Sequence, residues 1–405
     1  MKIKGRSTYS AYILILFALC AIALTSFFSS QVCYADKSQS GEEIIQDNID
    51  ENLSKMDMTK IEEELLSNLE EDFRALFGSD VVTTVKSIIN GDFQGNFNDF
   101  LSVISKGIGK SILDVLPMVL TIVAVAIIYS LLEGLSSGFV QQPTKKLIYF
   151  ATYSAIILIV MVEVGSIISL TTNTISSIKS VMEAIFPTLL TLVTLLGGVN
   201  SSAVFKPMMV TLTTFITSFI SNIIIPFFIA SIAFSVIGNL TKSVKLDRLT
   251  GFFKSSATYI LGGVFSLFIA FLTFQGLTGG VIDSISIKTA KFALQSYIPI
   301  LGGYLSDGFD LMLASLVLIK NSLGIVSLLM ILSVIALPTI KIAVLSLGLK
   351  LASGIIEPIC DNKFGKMLHG ISTNLTLLIV SLVGVGFMFL LTVMLVIYTF
   401  NVGVV

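Results

Sequence analysis

One histidine, His369, and three cysteines, Cys20, Cys33 and Cys360, are the entire stock of imidazole and thiol ligands in 405 residues. They are scattered, so no cluster with metal-ligand spacing forms, and no metal or cofactor is expected. Gly109-Lys110-Ser111 echoes a phosphate-binding loop, but Ile104 stands where that motif needs its first glycine. Without it the chain lacks the turn that aims backbone N–H groups at phosphates. No dinucleotide fingerprint, zinc-protease helix or lipase elbow occurs. With the usual nucleophiles and bases nearly missing, the sequence reads as non-enzymatic. Paired-Asp or Ser/Lys membrane proteolysis is the enzymatic chemistry the composition leaves open.

The remaining candidates are polar residues set in apolar runs. Glu163 lies within Leu147–Leu170, and Glu183 near the start of Val181–Val199; Asp310, Lys320 and Asn321 interrupt a third apolar stretch. An ionisable group at a spanning helix centre costs about 2.5–3.5 kcal/mol on insertion scales, so each is expected to face protein or water. Two readings stand: a polar path or relay through the bundle, or helix-packing and interfacial charges, with Glu163–Lys320 as one possible pair.

These side chains need a lipid-embedded frame. The chain is 54% apolar and 13% charged, with no Trp and a mean hydropathy of +0.93. Soluble domains carry about 25% charged residues. The sequence therefore predicts an all-α polytopic membrane protein. Good spans of about 20 residues are Leu113–Leu132, Leu147–Leu170, Tyr259–Leu277, Ser322–Ile340 and Ile371–Tyr398. Val181–Val199 and Ala343–Ile356 are less regular, and Met208–Leu240, with Pro226 near its middle, is one kinked helix or a hairpin. Seven to nine membrane segments are expected. The basic residues lie scattered between apolar runs, which gives nucleic-acid binding no support.

Three regions follow. Residues 1–35 read as a secretory signal, with Lys2, Lys4 and Arg6 ahead of an apolar core and cleavage after Ala35,; an uncleaved anchor is the rival reading. Residues 36–110 form an acidic extracytoplasmic arm, carrying a net −11 over 36–99. Ile61, Leu65, Leu66, Leu69, Phe73, Leu76 and Phe77 lie on one face of a predicted helix, with a Thr59–Glu62 capping box before it and Gly78 as its stop,. The arm either packs on itself or the membrane, or offers a docking surface to a partner. Residues 111–405 form the polytopic body, in which Lys145, Lys146 and the basic loop Thr241–Ser256 belong in the cytoplasm,.

Breaks punctuate the body at Pro187, Gly197-Gly198 and Pro226, then at Pro299, Gly302-Gly303 and Pro338. The two proline pairs share an offset of 112 residues, which a repeat-built channel or transporter would show.

The plan of signal, acidic arm and polytopic body resembles the stage III sporulation protein AE family of endospore-forming bacteria. The residues carrying the likeness are Ile298-Pro299-Ile300-Leu301-Gly302-Gly303-Tyr304-Leu305-Ser306-Asp307, then Leu318-Ile319-Lys320-Asn321-Ser322-Leu323-Gly324-Ile325, Pro338 and the last long apolar helix. The resemblance implies a subunit of the complex joining mother cell and forespore. It would sit in the mother-cell membrane around the forespore, with residues 36–110 in the intermembrane space. Implied partners are the complex's other membrane subunits, its ring-forming subunits and its ATPase. The rival functions are an autonomous ion- or proton-coupled transporter using Glu163 and Glu183, and a structural anchor without a path.

Overall fold

A computed structural model describes residues 39–77, 80–93, 97–136, 142–240, 246–297, 302–360 and 362–399. The signal segment with Ala35, and Pro299, lie outside the described residues. No strand occurs among those described. The arm comprises α1 (Gln39–Lys55), α2 (Thr59–Asn68), α3 (Glu71–Arg74, continued by a 3-10 turn to Phe77) and α4 (Val81–Asn90). The body comprises α5 (Phe97–Ser136), α6 (Gln142–Leu195), α7 (Val199–Phe219), α8 (Ile225–Leu240), α9 (Asp247–Tyr297), α10 (Gly302–Ile356) and α11 (Asn362–Thr399).

The apolar periodicity of the arm buries Ile61, Leu65, Leu69, Phe73 and Phe77 as predicted, while Leu66 is exposed. The single helix does not form. Leu69 and Glu70 are extended, and the chain restarts at α3 with the same face inward. Nor does the capping box form: the Asp57 carboxylate accepts the Thr59 amide at 3.1 Å instead. Two backbone hydrogen bonds close α4 at Gly91, whose φ of 75° suits a residue without Cβ,. Lys86 and Asp50 pair at 2.8 Å across α4 and α1.

Six helices, rather than seven to nine, are long and apolar enough to cross a bilayer among the described residues. Leu147–Leu170 and the Val181–Leu195 part of Val181–Val199 fuse into α6, whose end turns into α7 at Val199; Ser322–Ile340 and Ala343–Ile356 fuse into α10. Pro187 and Pro338 therefore lie inside continuous helices rather than at breaks. Pro226 does not split its segment into a hairpin either. The π turn Ile220–Ile224 joins α7 to α8 just before it, absorbing the missing N–H and the ring's crowding of the preceding turn. The chain reverses at Gly197-Gly198, where Gly197 adopts φ 86°, and Gly302 and Gly303 begin α10.

The six spans form three hairpins: α5/α6, α7–α8/α9 and α10/α11. The last is the centre of the bundle, with α10 and α11 far more buried than the others. Their contact is close because side chains are missing where they cross. A Cβ on Gly386 of α11 would run into Ile335 of α10, and one on Gly324 into Ile397. The same core cluster runs without interruption from Ile49 of the arm to Ile397 of α11.

Candidate functional site

The ends of α5, α8 and α10 and the starts of α6, α9 and α11 come together at one end of the bundle. Tyr149 and Tyr153 of α6 donate to the carbonyls of Asn239 (3.3 Å) and Val236 (2.6 Å) on α8. Cys360 Sγ donates to Ala126 O of α5 at 3.1 Å. Between them Phe364 of α11 meets Tyr129 and Tyr149 at 5.1 Å and Tyr153 at 5.8 Å. Among the described residues, Lys145, Lys146, Arg248, Lys363 and Lys366 lie near this end, against Glu133 and Glu357. A cationic excess at one end of a membrane bundle is the usual mark of the cytoplasmic side.

Measured from that end, the outward faces of α5, α6 and α7–α8 are mostly apolar up to a limited height, and beyond it exposed Leu195, Val199 and Val204 stand among polar residues. On α6, Leu147, Phe150, Leu158 and Val162 are exposed; then come half-buried Glu163 and exposed Ser166, Ser169, Asn173 and Ser176. On α5 the exposed Leu135, Leu131, Ile128, Leu120 and Leu113 give way to Lys110. On α8 and α7, Ile237 and Ile229 are followed by Asn222, Ser218, Thr214 and Thr211, with Phe215 and Val210 among them. At 1.5 Å per residue these changes fall about 27–39 Å from that end, close to the roughly 30 Å of a hydrocarbon core. The 54 residues of α6 extend about 80 Å, more than twice the roughly 30 Å of a hydrocarbon core.

Each predicted polar residue can now be placed. Glu163 lies at the outer edge of the apolar belt, and no described side chain pairs with it. Glu183 is about 30 Å further along α6, half exposed and 3.6 Å from Lys179. Asp310, half-buried near the start of α10, is further out still. Lys320 is fully buried, and its ammonium donates to Ile397 O at 2.9 Å. It lies about 54 Å from that end of the bundle, in the core of the projecting part. The neighbouring Asn321 is 8% exposed and its Oδ1 lacks a hydrogen-bond partner. These residues therefore do not converge on one site, and the Glu163–Lys320 pair does not form.

The arm docks on this projecting part: α2 packs on α6, and α1 and α4 on α10. Phe73 lies 5.5 Å from Phe100 of α5. Where α2 meets α6, burial and the facing Glu183 and Glu63 charges push the Glu64 carboxyl up, against a hydrogen bond from Asn68 that pulls it down. A carboxyl with a raised folded pKa favours the docked arm below its unfolded pKa, near 4.3, and loses that advantage as pH rises. Glu64→Gln is accordingly expected to slow proteolytic release of the arm at pH 7 and leave release at pH 4 unchanged.

Sequence reading missed a polar layer within the lipid-facing height. Ser231 of α8 lies 2.9 Å from Asn374 Oδ1 on α11 and donates to Thr250 O of α9 at 3.2 Å. Lys254 of α9 donates to Thr373 O at 3.0 Å. Ser346 of α10 and Ser372 of α11 each donate to the other's backbone carbonyl. Asn374 Nδ2 and Thr250 Oγ1 lack partners. Such isolated Ser, Thr and Asn residues give no periodic signal, and only packing brings them to one level. This layer clamps α8, α9, α10 and α11 by interhelical hydrogen bonds. Among the described residues, no group of three His, Cys, Asp or Glu side chains is arranged to hold a metal.

The chain matches the family described as stage III sporulation protein AE over residues 79–399, from α4 to the end of α11. It belongs to that family. One relative is stage III sporulation protein AE of Bacillus subtilis (strain 168), 25% identical over 354 residues, covering 84% of this chain and 89% of the relative. No solved structure matches the chain. Family membership and the six apolar helices together make this a sporulation-related membrane protein. The family match begins at residue 79 and leaves α1 to α3 outside it.

Proposed function

We propose that the chain is a non-enzymatic membrane subunit of a channel or secretion-like complex joining mother cell and forespore. It would sit in the mother-cell membrane surrounding the forespore, with the acidic arm in the intermembrane space. The observation that carries this reading is the height of the helices. Their apolar belt matches one bilayer, and the outer parts of α6, α7 and α10, with the arm packed on them, make a helical head beyond it. A head built onto spanning helices is rigidly coupled to the membrane, as docking of ring-forming subunits across a gap requires. The complex's other membrane subunits and its ATPase are the further partners of this reading. An autonomous transporter draws no support from the carboxylates. Glu163 and Glu183 lie about 30 Å apart on one helix, and Glu183 lies outside the apolar belt.

The test is topological and functional together. In a C20S/C33S/C360S background, a membrane-impermeant maleimide applied to intact protoplasts is expected to label S176C and leave L158C unlabelled. Labelling of neither, with both proteins present, would remove the head. A photo-crosslinker at exposed Glu63 in sporulating cells is expected to capture another subunit of the complex; capture of lipid alone would reduce the protein to an anchor.

A further inference from the structure

We propose that the end of the bundle where α6 and α11 begin holds an anionic phospholipid, its phosphate headgroup seated between the starts of these two helices. Lys363 Nζ lies 5.5 Å from the centre of the Tyr149 ring. Lys145 and Lys146 lie about one helical turn before Tyr149, and Lys366 one turn after Lys363, so helical spacing brings four lysines to the two helix starts that meet at Tyr149 and Phe364,. Among the described residues, Glu133 and Glu357 are the exposed carboxylates at the same end, fewer than the four lysines. Directly beside the cations, Leu147 and Phe150 are exposed at 67% and 55%. Charge next to exposed apolar surface at the edge of the belt fits a molecule with a phosphate and acyl chains; an acidic soluble protein would have no use for that apolar flank.

Helix stability does not explain the placement. The first turns of α6 and α11 hold no acidic residue, and a cation there is opposed by the helix dipole. The aromatic cluster supplies the rigidity. Phe364 and Tyr153 are buried beneath the rim and fix the two helices that carry the lysines, so the seat does not depend on a loop.

The test uses the full chain in vesicles, with spin-labelled phosphatidylglycerol and phosphatidylcholine as probes of first-shell lipid. Each cation near an anionic surface contributes roughly 1 kcal/mol, so the preference for phosphatidylglycerol is expected to be about fivefold or more. It should approach unity in the quadruple variant K145Q/K146Q/K363Q/K366Q and persist in the corresponding Lys→Arg variant. A wild-type preference near unity overturns the proposal, as does one that survives in the glutamine variant. Should the quadruple variant not fold, K363Q/K366Q with thermal unfolding as control replaces it, under the same criterion. Loss of the wild-type preference on adding inorganic phosphate at constant ionic strength would also overturn it, because a free anion would then be the occupant.

Discussion

Replacing Phe364 by alanine is expected to destabilise the protein by about 3–5 kcal/mol, the cost of truncating a buried aromatic side chain. Phe364 is 1% exposed and contacts three tyrosines from α5 and α6. Its removal leaves a cavity where three hairpins meet, and Tyr149 and Tyr153 lose the surface that holds them against α8. Thermal unfolding in detergent would show a large fall, and the protein would drop in abundance in sporulating cells. Phe364→Leu keeps most of the volume and should recover over half of the loss. A Phe364→Ala protein as stable as wild type would mean that the cluster does not hold these helix ends together.

Lys320 gives the second large effect, and its sign depends on the substitution. Its fully buried ammonium donates to Ile397 O, a carbonyl in the last turn of α11. Lys320→Glu places an acceptor against an acceptor and buries a carboxylate, so a loss of about 3–5 kcal/mol and failure to accumulate are expected. Lys320→Met removes the charge at similar volume and leaves the carbonyl short of one donor, a cost of about 1–3 kcal/mol. Immunoblotting of membranes and spore counts separate two roles. A stable Lys320→Met protein that supports sporulation assigns Lys320 to packing of the head; a stable one that fails assigns its charge a direct part. Equal stability of the Glu and Met variants would contradict the burial.

The lipid-facing character of the body, the acidic arm and the apolar face of that arm were all legible in the residues. Each follows from composition or from a local period of three to four, and needs no knowledge of neighbours. Segment count was not legible. A run such as Thr171–Glu183 is polar enough to read as a loop between two spans, yet it continues as helix because its other face, with Ile175, Ile178 and Val181, is buried. The same holds at Pro338 and Lys341, which α10 carries through, since neighbouring helices can stabilise a helix that propensity alone would end.

The candidate site divides in the same way. Glu163, Glu183 and Lys320 stood out because charges are rare in apolar sequence, but depth is not written in any one residue. It is fixed by where the ends of distant helices come together and by how far each helix extends from there. Ser231, Thr250 and Asn374 carried no signal, because Ser and Thr are common in spanning helices and their meeting needs residues separated by up to 143 positions; Lys254 read as part of the basic loop Thr241–Ser256, but α9 begins at Asp247 and packing turns Lys254 inward onto Thr373 O. The sequence by itself determined that this chain is helical, embedded in lipid and acidic at its amino-terminal side, because those properties add up residue by residue. Which charges fall within the apolar belt and which beyond it followed from packing, because burial and height are properties of helices set against one another.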